Sequence, residues 1–97
     1  MAGVTVDAST RTNVGCFNQS DQTNTIKVTV LDNSGKQTIG TQNFTLPPNA
    51  WAQTGVGSVV SNGYLQFDPS EAAVCYASIV DNTSNDARFV SAVEYKP

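Results

Sequence analysis

Residues 24–46 read NTIKVTVLDNSGKQTIGTQNFTL, two β-branched runs joined by a polar break. In the first run Ile26, Val28 and Val30 fall on one face, while Lys27 and Thr29 fall on the other. That period of two is the pattern of a half-buried strand, and the branched side chains suit a pleated surface. The break DNSGK places Asn33 or Gly35 where a hairpin turn needs a positive φ. The second run returns as the partner strand, with Phe44 and Leu46 near its end. A strand–turn–strand unit of this length points the whole chain toward β architecture.

The remaining segments carry the same punctuation. Residues 3–7 and 11–19 read as strands, the second ending at the turn cluster NQSDQ. Pro47 and Pro48 remove two ladder donors, so the chain turns a corner before a short strand that carries Trp51. Residues 56–63 are the one place where a helical turn is expected, with Ser61, Asn62 and Gly63 as its exit. Residues 63–68 form a strand in which Tyr64, Gln66 and Asp68 oppose Leu65 and Phe67. Residues 72–81 are almost continuously apolar, which predicts a central strand buried on both faces. Residues 87–95 close the chain. About eight short strands at regular spacing predict an antiparallel β-sandwich or small barrel. The 97 residues fit a single domain spanning 1–97.

Composition narrows the function classes. Charged residues make up 13% of the chain, so its surface must be covered largely by Asn, Gln, Ser and Thr. A net charge of −3 with five basic residues lacks the footprint of a nucleic-acid binder. No window approaches the apolar length of a membrane-spanning helix, so no membrane insertion is expected. Histidine is absent, which removes the usual general base and any Ser–His or Cys–His nucleophile pair. Paired carboxylates remain at Asp68 with Glu71 and at Asp81 with Asp86, but each pair borders a turn and reads as capping rather than catalysis. No enzyme activity and no cofactor are expected.

The two cysteines, Cys16 and Cys75, form one disulfide or remain two buried thiols. No CxxC spacing suggests a redox motif or zinc knuckle. A bond would need their strands to be neighbours or to face each other across the core, the latter being the arrangement of an immunoglobulin inter-sheet bridge. The long closed loop would contribute about 4 kcal/mol in the chain-entropy model, and an oxidising compartment would be implied.

The order of motifs adds a resemblance. The segments RTNVG (11–15), LPP (46–48) followed by Trp51, GY (63–64) and YASIVDN (76–82) resemble, in that order, a bacterial family of small immunoglobulin-like β-sandwich domains. Such domains are appended to larger secreted and surface proteins. The resemblance covers roughly residues 11–90 and implies an accessory module of extracellular or cell-surface location, whose export signal lies outside this chain. Cys16 and Cys75 both replace the family's usual apolar residues, which favours a disulfide peculiar to this sequence. Ala87 also replaces a usual proline. The resemblance supplies no catalytic residues.

Four further readings concern sites. The run DNTSND (81–86) carries oxygen ligands, and Asp81 with Asp86 is a minor calcium alternative. It lacks the glycine and distant glutamate of an EF-hand loop, so an Asx turn is the expected structure. Arg11 and Asn13 are expected to clamp their strand to Asp81 and Asn82 in a neighbouring loop. Trp51 is expected to pack at the proline corner with its indole N–H on a backbone carbonyl. Alternatively Trp51 and Tyr64, with Tyr76 and Tyr95, form an aromatic platform for a sugar. The leading expectation is a non-catalytic interaction, adhesion or spacer module whose partner is an unidentified protein or glycan. A carbohydrate-binding module is the first alternative. A small protease inhibitor presenting residues 47–50 or 81–86 is the second.

Overall fold

The computed structural model describes residues 2–84 and 87–95, with the side chains of residues 3–84. The described chain is all-β, its strands being β1 (Ala2–Val6), β2 (Thr10–Asn18), β3 (Asn24–Leu31), β4 (Thr38–Leu46), β5 (Trp51–Gly55), β6 (Val60–Pro69), β7 (Ala73–Asp81) and β8 (Ala87–Tyr95). They form two antiparallel sheets. The first has the order β1-β6-β3-β4 and the second β5-β2-β7-β8. Their inner faces close over one core, built from Ile26, Val28, Val30, Leu65 and Phe67 of the first sheet and Val14, Cys16, Cys75 and Ala77 of the second. A single apolar face per sheet is the direct product of the alternation in β3 and β6.

The β3–β4 hairpin forms as its sequence dictates. Ile26 lies opposite Phe44, and Asn24 opposite Leu46. Gly35 supplies the positive φ, at 72°. Asp32 organises the turn: its Oδ1 accepts from the Ser34 N–H at 3.1 Å and the Ser34 hydroxyl at 2.6 Å. The Ser34 hydroxyl, then the backbone amides of the turn, hold the Asp32 carboxyl below the usual aspartate range.

Two expectations are corrected here. The segment 56–63 holds no helical turn. Residues 56–59 cross from one sheet to the other, and β6 begins at Val60. Val56 is buried in the core, and the Gln42 side chain fastens the crossing by donating to the Gly55 carbonyl at 3.1 Å and accepting from the Gly57 N–H at 3.0 Å. Asn62 has a φ of 55° because it is the extra residue of a bulge, not a helix exit. Between the Val4–Gly63 and Val6–Val60 pairs, β6 spends three residues against two on β1. Gly3, at φ 79°, makes the compensating bulge on β1. Bulges with a first residue in the left-handed region restore register at an edge strand.

The second correction concerns β7. It is central, between β2 and β8. Its burial alternates, however: Ala73, Cys75, Ala77 and Ile79 are buried, while Val74, Tyr76 and Ser78 are half-buried. The apolar run thus serves one core and one outer face, because nothing among the described residues covers the second sheet from outside.

Cys16 and Cys75 form a disulfide within the second sheet. They lie directly opposite in the β2–β7 register, with Cα atoms 4.1 Å apart, and both are buried. That spacing belongs to the close, non-hydrogen-bonded sites of an antiparallel ladder. The bridge therefore joins neighbours in one sheet and does not span the core as an immunoglobulin bridge does.

Candidate binding surface

The outer face of the second sheet carries two of the exposed aromatic residues among the described ones, Phe17 and Trp51. In β2 the inner positions are Thr12, Val14, Cys16 and Asn18, so Asn13, Gly15 and Phe17 face outward. Phe17 lies opposite Trp51 on β5 and opposite Val74 on β7. These three make one row across the sheet. Trp51 is 65% exposed and Phe17 39% exposed. Trp51 thus stands on an edge strand in solvent, which corrects the expected packing at the proline corner. Pro47 and Pro48 themselves sit in a turn closed by the Ala50 N–H donating to the Pro47 carbonyl at 3.1 Å, with Asn49 at φ 60°. Proline second and a left-handed asparagine third is the signature of a type II turn. It aims the chain into β5 without using the indole.

The next row explains a glycine. Gly15 lies opposite Gln53 on β5 and opposite Tyr76 on β7. The Tyr76 ring crosses β2 over Gly15, and a Cβ there would sit 2.4 Å from the ring. The Tyr76 hydroxyl reaches β5 and donates to the Gln53 side-chain carbonyl. A tyrosine reaching across β2, a phenylalanine and an exposed tryptophan therefore share one face. Tyr64 does not join them. It projects from the outer side of the first sheet, 38% exposed, beside Gly35. Of the expected platform, Tyr76 lies on the face of Trp51, Tyr64 is separated from it, and Phe17 joins them. The phase of β2 carried the signal for Phe17, since it alternates against Val14 and Cys16. The side chain of Tyr95 lies outside the described residues.

The loop expected to clamp to β2 is joined through Arg11. Its guanidinium donates to the Asn82 side-chain carbonyl. The Asn82 N–H donates to the Ser9 carbonyl at 2.8 Å, tying the β7–β8 turn to the β1–β2 turn. Asn13 stands opposite Ser78 in the β2–β7 register, away from this contact. Asp81 accepts from the Thr83 N–H at 2.8 Å and the Ser84 N–H at 3.4 Å, an Asx turn in which the carboxylate closes its own loop. Asn85 and Asp86 lie outside the described residues. Among the described residues no three potential ligands gather to hold a metal ion.

A pair of asparagines, at the end of β2 and the start of β3, takes a structural role that the sequence reading did not identify. Asn18 and Asn24 are both fully buried. Asn18 Nδ2 donates to the carbonyls of Gln22 (2.8 Å), Leu46 (3.2 Å) and Pro47 (3.0 Å). Its Oδ1 accepts from the Ser20 N–H, the Ser20 hydroxyl and Asn24 Nδ2. Asn24 in turn binds the Glu71 and Ala72 carbonyls through Nδ2 and the Glu71 N–H through Oδ1. Three loops at one end of the sheets are thus fixed by two side chains. No buried polar side-chain atom among the described residues lacks a partner, as a low-dielectric interior demands. Glu71 contributes backbone here, and Asp68 accepts from Gln66 at 3.2 Å on the opposite, exposed face of β6.

Among the described residues no helix is long and apolar enough to cross a membrane. No family model matches the chain, and no curated protein or solved structure matches it significantly.

Proposed function

We propose that this chain is a non-catalytic accessory module of a secreted or surface protein, acting in interaction or adhesion through the outer face of its second sheet. One observation carries the reading. Trp51, Phe17 and Val74 form an apolar row across the outer face of the second sheet, with the Tyr76 ring in the next row. Exposed aromatic clusters of this kind mark contact surfaces. The cross-strand disulfide is compatible with an extracellular setting.

The proposed relation to immunoglobulin-like sandwiches rests on strand order. The β2–β5 and β3–β6 pairings are those of strands B–E and C–F in an immunoglobulin domain. The outer positions differ, since β1 lies beside β6 and β7 beside β2. We read the module as a sandwich that shares these two pairings with immunoglobulin domains and differs in its flanking strands.

A carbohydrate ligand is the second reading, favoured by the flat Tyr76 ring and its bond to the Gln53 amide group. A sugar ring stacks on such a face while flanking amides bind its hydroxyls. The inhibitor reading gains no such support, because residues 47–50 form a closed turn rather than an extended strand.

Trp51 is the chain's sole tryptophan, so its emission reports on this face directly. The immobilised chain is screened against a glycan array and a panel of purified cell-surface proteins. The expected result is a ligand that shifts Trp51 emission and loses affinity in Trp51→Ala and Phe17→Ser. A ligand that binds both variants as tightly as the parent and leaves the emission unchanged refutes the assignment of this face.

A further inference from the structure

A second feature lies away from the aromatic face. A cleft of about 370 Å³ opens beside the β3–β4 turn, where the end of β1 and the start of β6 meet. Its apolar lining comes from Val6, Ile39, Val59 and Val60, and two carboxylates, Asp7 and Asp32, border it. Ile39 is 42% exposed and Val59 74% exposed, so core packing does not account for their being apolar. Both carboxylates are oriented by their own turns. Asp7 Oδ1 accepts from the Ser9 N–H at 2.9 Å, and Asp32 Oδ1 accepts from Ser34. These bonds, those from Ser9 first for Asp7 and the Ser34 hydroxyl first for Asp32, favour the ionised forms.

We propose that this cleft takes the side chain of a lysine or arginine on a partner polypeptide. The methylenes lie against Ile39, Val59 and Val60, and the cationic head meets Asp7 and Asp32. Long basic side chains have this dual character, an apolar stem and a charged tip. The lining of the cleft matches it, with four aliphatic residues and two aspartates beside Asn33 and Ser61. The chain's net charge of −3 also draws a basic segment toward it. A neutral aliphatic side chain would satisfy the walls and leave both carboxylates unmatched. A carboxylate ligand would be repelled.

The test is a titration of the whole chain followed by amide nuclear magnetic resonance shifts. The probes are N-acetyl-lysine methylamide and its neutral counterpart N-acetyl-norleucine methylamide. The lysine probe is expected to give saturable shifts at Val6, Asp7, Asp32, Ile39, Val59 and Val60. The norleucine probe is expected to bind at least about ten-fold more weakly, and Asp7→Asn and Asp32→Asn each to weaken lysine binding about three- to five-fold, as expected for exposed ion pairs. Asparagine keeps the Oδ1 acceptor that each turn uses, so both variants retain the fold. Val59→Ser, at an exposed site, weakens both probes. Equal binding of the two probes, shifts mapping elsewhere, or no saturable shift overturns the proposal. Sedimentation covers the remaining occupant. A concentration-dependent dimer that Asp32→Asn dissolves would make the guest a second copy and overturn the assignment to a partner.

Discussion

Asn18→Ala removes the side chain that holds three loops together, and its cost follows from the bonds it makes. Asn18 is fully buried and serves three backbone carbonyls and three donors. Its bond to the Leu46 carbonyl is itself buried, so that oxygen loses a partner water does not readily replace. Asn24 Nδ2 keeps the Glu71 and Ala72 carbonyls, and the Gln22 and Pro47 carbonyls are only partly buried. A buried carbonyl stripped of its side-chain donor, a weakened amide pair and a small cavity together cost about 2–4 kcal/mol. For a domain of this size that is roughly 10–25 °C in Tm. The assay is urea unfolding with the disulfide intact, analysed for an unchanged slope so that a shifted midpoint reads as stability. Asn18→Asp, which turns an oxygen toward those carbonyls, should cost at least as much as alanine. Asn13→Ala, at a half-buried outer position, should cost under about 1 kcal/mol. A loss below about 1 kcal/mol for Asn18→Ala would refute the claim that this amide organises the loop end.

Other expectations follow from the same structure. Reducing the Cys16–Cys75 bond, or replacing both residues by alanine, should lower unfolding free energy by about 4 kcal/mol or somewhat less, measured with and without a phosphine reductant. Gly15→Ala should displace the Tyr76 ring, break its bond to Gln53 and destabilise by about 1–3 kcal/mol, with altered tyrosine signals in near-ultraviolet circular dichroism. Retained signals and stability would show that the ring does not rest on Gly15. In the folded chain Asp7 and Asp32 titrate below the ordinary aspartate value of 3.8, held there by the hydrogen bonds of Ser9 and Ser34 respectively. Their stabilising contribution is therefore present above that value and is lost as pH falls through the lower folded pKa. Carboxyl carbon shifts followed by pH titration should titrate below 3.8, and Asp32→Asn should remove its share of the acid sensitivity.

The all-β class and much of the local detail were legible in the residues alone. Alternation in residues 24–31 and 64–68 fixed which face of β3 and β6 is buried, because side chains in a strand point to alternate sides whatever the tertiary context. Turn chemistry at Asp32 and Gly35 fixed the hairpin, since those preferences act within a few residues. Three matters were decided only by the tertiary structure. Strand order made Cys16 and Cys75 neighbours in one sheet, where the sequence allowed that or a bridge across the core. Register brought Phe17 and Tyr76 beside Trp51 and carried Tyr64 to the opposite sheet. Loop convergence brought the buried Asn18 and Asn24 to the carbonyls of Leu46, Pro47, Glu71 and Ala72. Each depends on contacts between residues far apart in the chain, and no local periodicity encodes which distant strand a segment meets.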